Sequence, residues 1–224
     1  MLRELMNVFR GKHPEEHATQ DFNRMLELSR EMILEACEVY WGREFSPEER
    51  TRLYDQDVQL NKLQRTVRKH VVEQLSGPVP ANVPWGLLLM SLVKDVERIG
   101  DYAKNLTELS LWCPGPMPED DIAGELREIT RAVTSLAKEA PDVFQKSDAE
   151  RARELVVEGR TLSRRCDELV RKVAGSGYSA ELAVKMAVGA RFLKRVEGHL
   201  LNLLTAVIMP LHKLDYYDEA ALSG

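Results

Sequence analysis

Apolar residues recur along most of the chain at spacings of three and four, the signature of one helical face, and no segment shows the strict alternation of a strand. The first run predicts a helix over 21–40, with Phe22, Met25, Leu26, Ile33, Ala36 and Cys37 on one side. Phe45-Ser46-Pro47-Glu48-Glu49 then reads as a helix start: Ser46 caps free amide donors, Pro47 suits the first turn, and the glutamates complement the helix dipole. This second helix is expected to run to Leu75, where Ser76-Gly77-Pro78-Val79-Pro80 stops it. A third follows Pro84, carries the stripe Leu89, Leu92, Val96, Ile99, Ala103 and Leu106, and ends near Trp112. Cys113-Pro114-Gly115-Pro116-Met117-Pro118 cannot be helical and is the expected linker.

The second half repeats the plan, with helices predicted over 118–144, 148–174 and 179–210, a cap at Ser147-Asp148, and a break at Gly175-Ser176-Gly177 that answers the one after Ser76. Glu97-Arg98-Ile99-Gly100-Asp101-Tyr102 lies over Lys194-Arg195-Val196-Glu197-Gly198-His199, and Asn105-Leu106 then falls on Asn202-Leu203 at the same offset. An arginine, a branched aliphatic and an Asn-Leu pair at one constant offset point to an internal duplication with a period of about 100 residues. The fold expected is all-α: two tandem three-helix bundles related as a pseudo-two-fold internal repeat. The expected divisions are an N-terminal arm (1–18), a first repeat (19–113), a second repeat (118–212) and a C-terminal tail (213–224).

Composition narrows the class without changing it. With 44% hydrophobic and 30% charged residues, the 224-residue chain is that of an ordinary globular protein. A formal net charge of −5 gives no overall attraction for nucleic acid or an anionic membrane. Cys37, Cys113 and Cys166 are odd in number and far apart, so they read as packed thiols in a reducing cytoplasm and not as a disulfide framework or thiolate metal site. The opening MLRELMNVFRGKH lacks the apolar run of a secretory signal. The most apolar stretch, Leu200 to Met209, is half a membrane span and contains Asn202. Any work at a membrane is expected to go through a partner.

Chemistry concentrates in one segment. Glu97 and Asp101 are four apart on the third helix, so their carboxylates leave one face. Gly100 between them costs about 1 kcal/mol against alanine in a helix interior, which makes sense if another helix or a ligand approaches closely there. Asp57 and Asn61, four apart on the antiparallel second helix, offer a facing pair of oxygen-bearing side chains. Such a set suits hard or borderline cations, a divalent or ferric ion among iron, manganese, magnesium and zinc, and like charges so close need a metal, a proton or a neighbouring arginine. The plainer reading of Glu97 and Asp101 is a solvated or arginine-paired stripe. Arg98 could help a partner dock, although hydrogen bonds within the bundle are its more ordinary use. His199 reads as a surface or satisfied histidine. The helix with Arg151, Arg153, Arg160, Arg164, Arg165, Arg171 and Lys172 interleaves Glu154, Glu158, Asp167 and Glu168, the pattern of an exposed face laced with ion pairs. No glycine-rich loop or anion cradle is visible.

Glu97-Arg98-Ile99-Gly100-Asp101, followed by Ala103 and Asn105-Leu106, resembles the signature of the PhoU family, and Asp57-x-x-x-Asn61 resembles the acidic motif on that family's preceding helix. The resemblance spans residues 20–212. It implies a non-enzymatic regulator, a homodimer, that represses phosphate uptake when phosphate is plentiful by contacting a phosphate transporter and a membrane sensor histidine kinase. It also implies metal binding through paired acidic motifs, here Asp57, Asn61, Glu97 and Asp101. Two departures qualify this. In the second repeat the acidic pair has become Lys194 and Gly198, with Ser163 and Asp167 on the partner helix, so at most one metal site is expected, in the first repeat. The family's arginine near the start of the third helix is missing, since residues 78–93 contain no basic residue. The alternatives are a structural accessory bundle without metal, or a di-iron oxidase; the latter class uses Glu-x-x-His, and no histidine here has a glutamate three residues before it.

Overall fold

The computed structural model describes residues 15–77 and 82–214, and among them the regular elements are six α-helices and one short 3-10 turn. They are α1 (Glu15–Tyr40), α2 (Pro47–Leu75), α3 (Val83–Trp112), α4 (Asp121–Lys146), α5 (Ala149–Ala174) and α6 (Ala180–Ile208), followed by the turn Leu211–Lys213. Residues 1–14 of the expected arm, residues 215–224 of the tail, and Pro78-Val79-Pro80 lie outside the described residues.

Local chemistry sets the helix ends. Ser46 accepts the Glu49 amide and the Glu49 carboxylate accepts the Ser46 amide at 2.8 Å, a reciprocal cap that starts α2 with Pro47 in its first turn. Asp120, Asp148 and Ser179 cap α4, α5 and α6 through the side-chain oxygen alone, without the return bond. The sequence placed the start of α4 at Pro118; the aspartate at 120, whose carboxylate takes the Ala123 amide at 2.9 Å, delays it to Asp121. It placed the end of α6 at Pro210, but Met209, directly before that proline, is extended, so the helix closes at Ile208.

Helices α1, α2 and α3 pack against one another, as do α4, α5 and α6; α3 then lies along α6 and α1 touches α4, so the two triplets share one apolar core. The join is specific. Tyr40, fully buried at the end of α1, sits where a Cβ on Gly189 of α6 would be, 2.2 Å from its hydroxyl, and it donates to the Lys185 carbonyl at 2.9 Å. Only glycine permits that approach. Phe22 and Phe144 pack with ring centroids 5.7 Å apart, and the Trp41 indole donates to Thr130 Oγ1 at 3.0 Å. On α3, Asp95 accepts from Asn202 Nδ2 at 2.8 Å and lies 2.8 Å from His199 Nδ1, while the His199 ring stacks on Tyr102. His199 is therefore a satisfied seam residue. All three cysteines are free and buried, and burial pushes the Cys37 and Cys166 thiols up to about 12, out of the reactive range. Among the described residues no helix is long and apolar enough to cross a membrane.

Candidate functional site

The site grows out of how α2 meets α3. Helix α2 buries Leu53, Leu60, Val67 and Val71, a narrow stripe that leaves its other positions polar. Opposite Leu60 lies Gly100: a Cβ there would stand 2.2 Å from Leu60 Cδ2 and 3.4 Å from the Met32 sulfur of α1. The glycine thus answers a close helix approach, and the side chain that uses the space is a leucine of the neighbouring helix, not a ligand. The approach draws the α2 and α3 polar rows together, close enough for the charge of Asp57 to act on Glu97.

Within that seam each predicted residue has a definite partner. Asp57 Oδ2 accepts from Lys104 Nζ at 2.9 Å. Arg98 Nη1 donates to Asp101 Oδ2 at 2.9 Å, and Arg98 Nε lies 3.7 Å from Glu97. Asn61 Nδ2 turns back to its own helix and donates to the Asp57 carbonyl at 3.0 Å. The Glu97 carboxyl is held above the usual carboxylate range, first by burial and then by the charges of Asp101 and Asp57, with Arg98 and Arg68 acting the other way. For Lys104, burial alone would pull the ammonium down; the hydrogen bond and charge of Asp57, with Asp101 and Glu108, outweigh it and hold the group above the ordinary lysine value.

The like charges that the sequence places together are thus offset by side chains of α3 itself, Lys104 and Arg98. Among the described residues no group of three or more His, Cys, Asp or Glu side chains is arranged to hold a metal ion. As folded, Asp57, Asn61, Glu97 and Asp101 do not fit a resident cation, because the Lys104 ammonium already sits against Asp57 where an ion would be drawn. Sequence reading passed over Lys104, although it lies three residues after Asp101 and hence on the same side of α3. Arg98 points outward and is tied to its own helix neighbours.

The corresponding seam of the second repeat is built from opposite charges. Lys194, at the position matching Glu97, donates to Asp167 at 2.5 Å, and Arg191 donates to it at 3.0 Å. The hydrogen bond from Lys194 keeps the Asp167 carboxyl below its ordinary range. The rest of α5 carries ion pairs to α4, Arg151 to Glu139 at 2.6 Å and Arg165 to Glu125 at 2.7 Å, and one of the expected pairs among its own interleaved charges, Arg151 to Glu154 at 2.6 Å.

Residues 22–110 match the family model described as the PhoU domain, which covers the first repeat and its Glu97–Asp101 segment but not the second repeat. The chain is 25% identical over 165 residues to the phosphate-specific transport system accessory protein PhoU homolog 1 of Thermotoga maritima, spanning 70% of each. To the protein of Pseudomonas putida named phosphate-specific transport system accessory protein PhoU homolog it is 27% identical over 160 residues, 68% of this chain and 62% of that one. The Pseudomonas aeruginosa homolog is 26% identical over 160 residues, 65% of its length, so the alignments span just under two thirds of both Pseudomonas relatives. Among solved structures, PhoU from Pseudomonas aeruginosa superposes with a TM-score of 0.78 at 20% identity over 92% of this chain and 98% of that one. The phosphate transport system regulatory protein PhoU from Streptococcus pneumoniae gives 0.70 at 16% identity over 93% and 97%. At such identities the superpositions show a shared all-α fold, and they extend it through both repeats.

Proposed function

This chain is a divergent member of the PhoU family, and from that premise we propose that it is an accessory regulator of phosphate transport that acts by binding and not by catalysis. The observation that supports this most is the coincidence of the family match over residues 22–110 with a fold likeness that continues through the second repeat. A helical body with two differently charged seams suits a protein that docks on a partner with two states and favours one of them. The partner in this reading is a cytoplasmic component of a phosphate transporter or a membrane sensor histidine kinase, met from the cytoplasm.

Affinity capture with the tagged full chain from its native cells, grown with ample phosphate, tests the reading. Recovery of a transporter or kinase component supports it; repeated recovery of neither overturns it. Metal enters only as a competitor of Lys104: an ion on Asp57, Asn61, Glu97 and Asp101 must first displace that ammonium. A stoichiometric metal in protein purified without chelator, lost in Glu97→Ala/Asp101→Ala, is the signature of such a site. Self-association into a homodimer is part of the same proposal, and light scattering during size exclusion reads it directly.

A further inference from the structure

We propose that the cavity where the α1–α2 turn meets the inter-repeat linker binds the phosphate group of a small molecule. The cavity measures about 490 Å³ and lies among Trp41, Arg43, Ser110, Gly115, Arg127 and Lys185. Its walls come from four parts of the chain: the turn after α1, where Gly42 takes a left-handed φ of 101°, the end of α3 with the linker, α4, and α6.

Its cations contrast with the two lysines of the helix seams, where Lys104 is matched by Asp57 and Lys194 by Asp167. Lys185 is more deeply buried, 5% exposed, yet no carboxylate pairs with it among the described residues; Glu181, one turn before it on α6, acts on it only through its charge. Its ammonium gives one hydrogen to the Gly115 carbonyl at 2.7 Å, and a lysine has three to give. Arg127 likewise forms no ion pair among the described residues; its guanidinium lies over the Trp41 ring, 4.1 Å from the centroid. The Ser110 hydroxyl oxygen is shut off from solvent and has no hydrogen-bond partner among the described residues. Arg43 differs, being held by Glu35, Glu38 and Glu49, and so serves as wall, not as ligand.

Two cations with no directly paired carboxylate and one idle hydroxyl around a single hollow are a donor set that lacks an acceptor. The chemistry that completes it is an oxyanion with several equivalent oxygens: a guanidinium supplies paired N–H donors and an ammonium a compact charge, which together suit a phosphate group. Burial pulls the Lys185 ammonium below the ordinary lysine value, and a bound anion would offset that. The volume is that of a small-molecule site and exceeds what a bare ion requires, leaving room beside the Trp41 ring for an organic moiety. Free phosphate and a phosphate monoester share the recognising chemistry. This site does not rest on docking to a transporter or kinase, so either idea can fail alone.

The test is isothermal titration of the purified full chain, dialysed free of phosphate, with inorganic phosphate and, separately, with AMP as a phosphate monoester. Saturable one-to-one binding of at least one probe is expected, weakened at least tenfold by Arg127→Gln and abolished by Lys185→Met. Binding of phosphate alone identifies the free ion, and tighter binding of AMP identifies the ester. Circular dichroism checks each variant; if Lys185→Met does not fold, Arg127→Gln, at an exposed position of α4, decides the matter alone. The absence of both saturable heat and a rise in melting temperature with either probe overturns the proposal, as does unchanged affinity in Arg127→Gln.

Discussion

The seams α2–α3 and α5–α6 solve one packing problem in two ways. In the first, the glycine is on the third helix and receives a leucine from the second, Gly100 under Leu60; in the second the assignment is reversed, and Gly159 of α5 receives Leu201 of α6, whose Cδ2 stands 2.6 Å from where a Cβ would be. Both seams are tied by a lysine of the third helix to an aspartate of the second, Lys104 to Asp57 and Lys194 to Asp167. The arrangement of charge differs. Asp57, Glu97 and Asp101 face Lys104 and Arg98 in one; in the other Asp167 is held by Lys194 and Arg191, and the buried Glu197 carboxyl of α6 reaches toward Gly159 of α5. What the fold requires at each seam is a close glycine contact and an ammonium–carboxylate tie; an acidic pair four residues apart on the third helix is not required, since Lys194 and Gly198 stand there in the second repeat.

The strongest way to break this comparison is steric. Gly100→Val and Gly159→Val each force bulk into a contact already at its limit, and each is expected to cost about 3 kcal/mol, read as a lowered midpoint in urea. If only one of them destabilises, the two seams are not equivalent. Removing the tie should separate them next. Lys104→Met leaves Asp57 partly buried beside Glu97 and Asp101 and is expected to cost about 2 kcal/mol. Lys194→Met leaves the more exposed Asp167 still held by Arg191 and should cost under about 1 kcal/mol.

Their pH responses should run in opposite senses. Glu97 has a folded value above its unfolded one, so its native state holds the proton more tightly; this favours folding at low pH and is lost as pH rises through the raised value. Asp167 has a folded value below its unfolded one, so its contribution is present above the ordinary aspartate range and is lost as pH falls through the lowered value. Stability measured in urea across pH 3 to 7, about the window set by ordinary carboxylate values, should therefore lose its Glu97 component in Glu97→Gln, which gains stability near neutrality, and its Asp167 component in Asp167→Asn. The smallest effect belongs to Arg98→Ala, an exposed pair within one helix, expected to change stability by only about 0.3 kcal/mol. A large loss of captured partner in that variant, with stability intact, would mark Arg98 as a docking residue.

The helix plan was legible because the apolar stripes are long and the breaks carry proline, glycine and capping residues: Ser46 and Asp148 announce α2 and α5. Local rules also placed Asp57, Asn61, Glu97 and Asp101 on facing rows. They did not reveal the tie, because helical spacing alone does not mark Lys104 as a charge aimed across to α2. The seam between repeats was hidden for a different reason. Tyr40 meets Gly189, Asp95 meets His199 and Asn202, and the cavity gathers Trp41, Ser110, Arg127 and Lys185; each pairing links residues dozens of positions apart with no periodic signal to announce it.

The Tyr40 plug has a mechanical consequence. With its phenol seated against Gly189 and the Asp95 bonds alongside, the covalent thread through Gly115 is not what holds the halves together. A chain nicked enzymatically at that thread should elute as one particle under native conditions and come apart only in denaturant. Its two pieces, expressed from separate messages, should find each other and rebuild the same helical body.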